Sequence, residues 1–552
     1  MLYFSSTTKR MKRMTFFTLF LIAFLTSCDN YNNVVHQPSV VGTIDDNDSW
    51  FASEKIEALE MRVYIPTPNE YLCAPYDDLN APPRPCTLED VDHDLIPNDD
   101  YEPTLHVYVE MPDFNSSDHK PNAVLKIKGD YSRTSAQKSY SIKLDSKTNL
   151  YNGERKFGLT KSSSDKSRLK NKVAMELLKD VPDILGLKVQ YWHLFINDVD
   201  YGLFNQPESI RKEFLVRRGW NPEDKLYNAN EFFFEKTHEL TLDEKGEPLY
   251  PDLFNQILEI KNGHNHTKLL EMIDAINSSE DIDDVIKHYF NRENFITWLA
   301  FDLVVNDKDT IQHNYYLYNP EYSDVFYFLP WDYDGAWSTT QYLSRADYGI
   351  SVWWRSMLQK RFFQKRKNRE DVYNRAYELR QKYVTPQRIE SIVDKYKDIV
   401  LPFQLVLPDS EHNSLEAWQE STAMLSDDID QHIKLFESVM GSPMPFHQYI
   451  DYNSTSHQLN ISWEESIDFE NDPIVYDVTL YDNNLSTKIF EEDNLTTLSY
   501  QKNIVLTSGT YYLQVISKEK ENPQHFQVSY GSVELNDKFY FGYKPLVIED
   551  VK

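Results

Sequence analysis

The stretch Phe301–Trp337, FDLVVNDKDTIQHNYYLYNPEYSDVFYFLPWDYDGAW, constrains the fold of this chain more than any other. An apolar, helix-like run from Phe295 to Val305 stops at Asn306-Asp307. Two aromatic and β-branched segments follow, Tyr315–Tyr318 and Val325–Leu329, joined by Pro-Glu-Tyr-Ser-Asp, which predicts a hairpin. Asp309 and Asn314 precede its first strand, and Asp332 and Asp334 follow its second. Pairing the strands brings these carboxylates and the amide together across some twenty positions of sequence, a grouping able to hold a hard divalent cation through oxygen ligands. The alternative is an acidic, solvated hairpin rim.

With 552 residues, 41% hydrophobic and 14% aromatic, the chain can fill two or three globular domains. Lys plus Arg number 57 against 87 Asp plus Glu, and the net charge of -30 repels nucleic-acid phosphates, so no nucleic-acid role is expected. At the N-terminus, Lys9, Arg10, Lys12 and Arg13 precede the apolar run Met14–Leu25 and then Thr26-Ser27-Cys28. That succession reads as a secretory signal over residues 1–28, and Leu-Thr-Ser-Cys resembles a bacterial lipobox, with Cys28 as the lipidated residue. Residues 29–50 then serve as a polar tether, and the protein is expected on the bacterial cell envelope, lipid-anchored, on the outer membrane. In that oxidising compartment Cys73 and Cys86 are expected to form a disulfide. Asp90, Asp92, Asp94 and Asn98–Asp100 imitate the acidic spacing of a calcium loop, without its glycine.

Strand-like pieces, MRVYI and LHVYVEM, open the folded part. Val124–Leu144 reads as two alternating strands around a polar, glycine-containing loop, with Lys143 on the face of Ser139 and Ser141. Ser164 or Asp165 is expected to cap a helix running to Asp180, with Leu169, Val173 and Leu177 on its buried stripe. Tyr191–Ile196 and Tyr201–Asn205 predict a second hairpin, closed by Asn-Asp-Val-Asp. Residues 228–277 read as a polar insertion with a helix at Leu253–Ile260. From Trp353 to Met440 the pattern is helical, with Thr385-Pro386 opening one helix. Arg355 and Arg361 there can bind phosphate or pair with carboxylates. After the breaker cluster Gly441–Pro445 the period changes to that of strands, which predicts a β-sandwich over residues 448–552. Trp463 and Tyr511-Tyr512 resemble a fibronectin type III domain.

A loop aspartate, an asparagine five residues on, a hairpin and an aspartate at its exit share their order with a protein-kinase catalytic site. KGDYSRTSAQKSYSIKL, SRLKNKVAMELL, FINDVDYGLFNQPESI, NDKDTIQHNYYLY and FLPWDYDGAW, in this order, resemble the CotH (spore coat protein H) kinase family of secreted, atypical protein kinases. The resemblance spans roughly residues 55–440, within a domain expected over 51–445, and implies an α+β, two-lobed kinase-like fold ahead of the all-β sandwich. It implies Asp309 as the catalytic aspartate, Asn314 and Asp332 as Mg²⁺ ligands with Asp334 able to share the ion, and Lys138 or Lys143 on the ATP phosphates. It further implies Glu176 as partner of the phosphate lysine and Glu208 on the linker between lobes. Lys128 stands where that family usually has an arginine.

Two functions follow from different classes. One is an extracytoplasmic kinase that moves the ATP γ-phosphoryl group to a serine or threonine hydroxyl of a protein with Mg²⁺. The other is a non-catalytic surface lipoprotein that uses the same scaffold to bind protein or glycan.

Overall fold

The computed structural model describes residues 54–549, apart from 98–99, 116–118, 147, 308, 338–352, 354, 428 and 537. Cys28, the signal segment, the tether and Lys308 lie outside the described residues. Among the described residues no helix is long and apolar enough to cross a membrane.

The N-terminal part is a seven-stranded sheet of β1 (Ala58–Tyr64), β2 (Leu105–Glu110), β3 (Ala123–Ile127), β4 (Tyr140–Leu144), β5 (Lys156–Leu159), β6 (Val189–Ile196) and β7 (Val199–Pro207). Its order is β5-β4-β3-β2-β1-β6-β7, with β1 parallel to β6. The sheet curls until its edges meet: Thr160, just past β5, and Asn205 of β7 exchange backbone hydrogen bonds of 2.8 and 3.0 Å. Alternation sends Met61, Val63, Leu125, Ile142, Phe157 and Trp192 into one core. The β6–β7 turn is the two-residue Asn197-Asp198, φ 48° and 62°, the left-handed pair whose twist matches antiparallel strands. At one end of the barrel lies the short helix α1 (Leu88–Asp92), next to the disulfide between Cys73 and Cys86, whose Cα atoms are 5.3 Å apart. Of the acidic run, 98–99 lie outside the described residues, and Asp90, Asp92 and Asp94 each turn to a different partner. Asp90 pairs with Arg84 at 2.7 Å, Asp92 accepts from the Tyr140 hydroxyl at 2.8 Å, and Asp94 pairs with Arg133.

The helix expected from 164 or 165 starts later, as α2 (Lys170–Leu178). Arg168 sits at φ 57°, which no helix propagates through, so Asp165 holds the preceding turn instead and accepts from the amides of Ser167 and Lys170. α3 (Lys212–Arg217) follows the barrel, and then β8 (Lys225–Ala229), α4 (Pro251–Ile257), β9 (Leu258–Asn262), α5 (Thr267–Ile276), α6 (Ile282–Tyr289) and α7 (Arg292–Val305). The helix expected over Leu253–Ile260 ends at Ile257, and 258–262 form a strand because Leu258 and Ile260 fall in register with Ala229 and Tyr227 of β8. β10 (Tyr315–Asn319) and β11 (Tyr327–Pro330) complete the sheet β9-β8-β10-β11. Helices α8 (Met357–Phe363), α9 (Arg366–Lys382), α10 (Pro386–Gln404), α11 (Leu415–Asp427) and α12 (Ile429–Met440) follow; α8, α9 and α12 pack against the apolar α7, and α10 against α2 and α11. Thr385 caps α10, accepting from the Arg388 amide at 3.2 Å, with Pro386 at the first position.

The C-terminal region is all β. β12 (Gln448–Asn453), β13 (Gln458–Trp463) and β16 (Ser499–Asn503) form one antiparallel sheet. β14 (Ile474–Tyr481), β15 (Lys488–Leu495), β17 (Gly509–Glu519), β18 (Phe526–Val528) and β21 (Tyr543–Ile548) form a second, and β19 (Ser532–Leu535) and β20 (Lys538–Phe541) a small hairpin. The two larger sheets share a core of Leu459, Ile461, Trp463, Val478, Leu513 and Val515. Arg369 of α9 stacks over Phe469, 4.5 Å from its ring centre, and joins this region to the helices.

Candidate active site

The site is built at the open end of the β10–β11 hairpin. Tyr315 pairs with Pro330, so Asn314 and Asp332 leave the two strands side by side, both in left-handed backbone at φ 61° and 58°. Asn294 of α7 fixes the second strand by donating to the Phe328 carbonyl and accepting from its amide, at 3.1 and 2.7 Å. α7 ends on Asn306 at φ 52°, a left-handed stop that turns the chain into the loop bearing Asp309.

Gly335 is what lets this loop meet the hairpin exit. A Cβ at that position would lie 2.7 Å from Asp309 Oδ2, so any larger residue would push the catalytic candidate away. Between them, Tyr333 is buried; its hydroxyl donates to Asp302 at 2.5 Å and its amide to Asn171 of α2 at 3.2 Å. The turn Asp332–Gly335 is therefore held from below by α7 and from the side by α2, and its carboxylates have little room to part. Asp334 is pushed up to about 8, first by burial and then by the facing Asp332, while Lys128 and a hydrogen bond from Ser162 oppose the shift. Asp307 lies beneath, fully buried, accepting from the Asp309 amide at 3.1 Å. Burial, then the neighbouring Asp309 and Asp302, raises its carboxyl well above the usual range.

Cations come from the outer face of the barrel. Register sets Lys126 beside Ser141 and Gly158, and Val124 beside Lys143 and Lys156, on the face opposite the core residues Leu125, Ile142 and Phe157. Lys128 follows on the same face; its Nζ donates to Thr160 Oγ1 at 2.9 Å, and a Cβ on Gly158 would meet its Cε at 3.0 Å. The small residues Ser141 and Gly158 thus leave a trough between lysines, open toward the helical part. Lys156 is pulled down to about 7, first by burial and then by Arg211 and Lys261 across the trough. The loop between β3 and β4 is pinned above. Gln137 donates to Asp409 Oδ1 at 2.9 Å and accepts from Arg168 at 2.6 Å, while Lys161 pairs with the same Asp409 at 2.6 Å.

Several sequence-based assignments change here. Lys138 does not reach the trough: its Nζ folds back onto the Arg133 carbonyl, beside Asp92. Lys143 has the expected face but is exposed at its far end. Glu176 meets neither of them and instead holds Lys172, Lys179 and Lys395. Glu208 is fully buried, with both oxygens taken by Arg218 at 2.6 and 2.8 Å and one also by Arg217 at 2.6 Å, so no oxygen is left for a nucleotide. Burial alone would raise its pKa; the two guanidiniums hold it at about 2. Arg361 donates to the carbonyls of Ala275, Ile276 and Glu280, and Arg355 stacks over Phe233. Lys128, Ser162 and Asp307 join the site without having been singled out for it. The doubled acid of Asn-Asp-Lys-Asp and the lysine before Gly129 were their only signals.

A family model described as CotH kinase protein matches residues 125–434, more than half of the chain. Inner spore coat protein H of Bacillus subtilis (strain 168) is 25% identical over 235 residues, which is 40% of this chain and 61% of that protein. Among solved structures, the Helicobacter pylori proinflammatory kinase CtkA aligns with 54% of this chain and 94% of its own at 14% identity, with a TM-score of 0.28.

Proposed function

This chain belongs to the CotH kinase protein family, and we propose that it is an atypical protein kinase that transfers the ATP γ-phosphoryl group to a serine or threonine hydroxyl of an extracytoplasmic protein with Mg²⁺. The observation that carries this reading is the Asp332–Asp334 pair at the hairpin exit, with Asp309 set against the adjoining Gly335. Two carboxylates forced together, one with a strongly raised pKa, are stable when a proton or a cation lies between them, and an all-oxygen set of Asp332, Asp334 and Asn314 suits Mg²⁺. Bound there, the metal would neutralise charge on the nucleotide phosphates.

Every other step falls to the chain's own groups. Lys128, tethered by Thr160, offers its ammonium toward Asp334 from the barrel side, where a phosphate would lie. Ser141 and Gly158 are the small residues on that face, flanked by Lys126 and Lys128. Asp309 orients the acceptor hydroxyl and takes its proton, and Asp307 fixes the Asp309 backbone from below. The basic, apolar and Thr-Ser-Cys succession at the N-terminus supports lipidation at Cys28 and an exported location. The fibronectin-like C-terminal region then acts as a spacer or adhesive module, since its sequence offers no catalytic constellation.

Calorimetric titration of Mg·ATP tests the reading. Asp332→Asn is expected to weaken binding of the metal nucleotide itself, and unchanged binding would sink the assignment. Stabilisation by calcium alone, with no response to Mg·ATP, would favour the non-catalytic alternative.

A further inference from the structure

The trough has a second cationic end, where the chain leaves the barrel. Ser209 Oγ donates to the Lys156 carbonyl at 2.7 Å, which ties the approach to α3 onto the sheet and sets Arg211 close to Lys156. Lys261 of β9 faces them from the opposite sheet. Burial pulls Lys261 down as it does Lys156; Glu259 opposes that, and Arg211 and Lys126 add to it.

These charges are unevenly matched. Lys261 pairs with Glu259, and Lys126 lies 3.6 Å from Glu102. Among the described residues, the side chains of Lys156 and Arg211 have neither a hydrogen bond nor an ion pair. Arg211 stands at the cap position of α3 without capping it, and both side chains are half-buried. A half-buried cation without a partner gives up water and gains nothing in return, and a second cation beside it adds repulsion. An anion between the two would remove both penalties.

The metal end cannot supply that anion. Register puts Lys156 in the cross-strand row of Val124 and Lys143, two steps of about 7 Å along β3 from Lys128. That distance exceeds the run from the first to the last phosphorus of a triphosphate. A nucleotide whose phosphates lie at Asp332 and Lys128 therefore leaves Lys156 and Arg211 unneutralised.

We propose that Lys156, Arg211 and Lys261 form an anion subsite of the trough, which takes a phosphate group other than those held at the metal. The guanidinium offers paired N–H donors and the two ammoniums add charge, a set suited to phosphate oxygens. Such a phosphate either rides on the sugar of a nucleoside, away from its 5′ position, or arrives as the free anion. The subsite needs neither Mg²⁺ nor phosphoryl transfer, so it stands apart from the kinase reading.

Orthophosphate, AMP and adenosine 3′,5′-bisphosphate, titrated into the full chain by calorimetry without divalent ions, test it. Orthophosphate is expected to bind, and Arg211→Gln and Lys156→Met each to weaken it about tenfold; neither side chain is bonded to the fold, so both variants should melt like the parent. A bisphosphate that binds more tightly than AMP in the parent but not in Arg211→Gln puts the phosphate on a nucleoside. A bisphosphate no tighter than AMP, with orthophosphate still weakened in Arg211→Gln, makes it the free anion. Orthophosphate bound equally by the parent and both variants would overturn the proposal, as would a parent that binds no orthophosphate and gains nothing from the second phosphate. Binding that falls in Lys128→Met and not in Arg211→Gln would overturn it too, by moving the anion to the metal end. Because Mg²⁺ is absent, failure here leaves the metal assignment standing, and unchanged Mg·ATP binding in Asp332→Asn would sink that assignment without touching this one.

Discussion

Two buried acids at opposite ends of the trough have met opposite fates. Glu208, where the chain leaves the barrel, is clasped by two arginines and held at about 2. Asp334, at the hairpin exit, is driven to about 8 by burial and by a second carboxylate. The first is a completed interaction with no capacity left over. The second is an arrangement that folding tolerates and does not resolve, and the proposed metal site rests on it. The family resemblance put Glu208 on the linker between lobes and Asp334 on the metal; their partners separate them.

The largest expected effect is on turnover. Asp309→Asn keeps the size of the side chain and its place over Gly335 but removes the base, so phosphoryl transfer to a generic acceptor should fall on the order of 10² to 10⁴-fold with Mg·ATP affinity nearly unchanged. Loss of nucleotide binding in this variant would show Asp309 to be a ligand instead. Next in size is Glu208→Gln, which leaves two buried guanidiniums short of their counter-charge. Denaturant unfolding should show a loss of about 3–5 kcal/mol, and a stability within error of the parent would mean the clasp matters little.

Asp334→Asn should act in the opposite direction. A carboxyl whose folded pKa is raised is no burden below its unfolded pKa, near 4, and becomes an increasing one as pH rises toward about 8. Without divalent ions, the melting temperature of the variant should therefore exceed that of the parent by a few degrees, more at pH 8 than at pH 5. Glu208, with its lowered pKa, stabilises the fold above about pH 4.5 and loses that contribution as pH falls toward 2, so its removal should matter least in acid. Added Mg²⁺ should lift the parent at pH 8 and leave Asp334→Asn almost unmoved. If both proteins melt alike at every pH, the two carboxylates do not strain each other.

How much of this was legible depended on sequence separation. The β10–β11 hairpin and α7 could be read because period and turn chemistry are local, and the α10 cap and the Asn197-Asp198 turn for the same reason. Local cues also misled. Asp165 looks like a helix cap, but with Arg168 left-handed the cap position of α2 falls four residues later, at Leu169. Nothing near Glu208 announces Arg217 and Arg218 as its clasp, and nothing near Lys161 points to Asp409, 248 positions away. Barrel closure through Thr160 and Asn205 is likewise a tertiary fact. The candidate site was half visible: its acids cluster in one stretch, while its cation comes from a strand whose face is set by register with two others.

The smallest effects concern those lysines, and they sharpen the contrast between ends of the trough. Lys128 lies against Asp334 and Thr160, close enough for a direct charge-assisted contact with a phosphate, so Lys128→Met should weaken Mg·ATP binding about tenfold. Lys143 shares that face but belongs to the cross-strand row of Val124 and Lys156, two rows from Lys128, and each step of two residues adds about 7 Å along a strand. Exposed and beyond a Debye length of about 8 Å at physiological salt, it should change affinity less than twofold, and only at low ionic strength. Lys138 is turned onto the Arg133 carbonyl and Asp92, away from the trough, so Lys138→Met should leave nucleotide affinity unchanged at any salt. Calorimetry on the three variants at two ionic strengths gives the ranking. A Lys138→Met protein weaker than Lys128→Met would mean that the β3–β4 loop closes over the nucleotide in a conformation different from this one, with Lys138 turned inward and Gln137 released from Asp409.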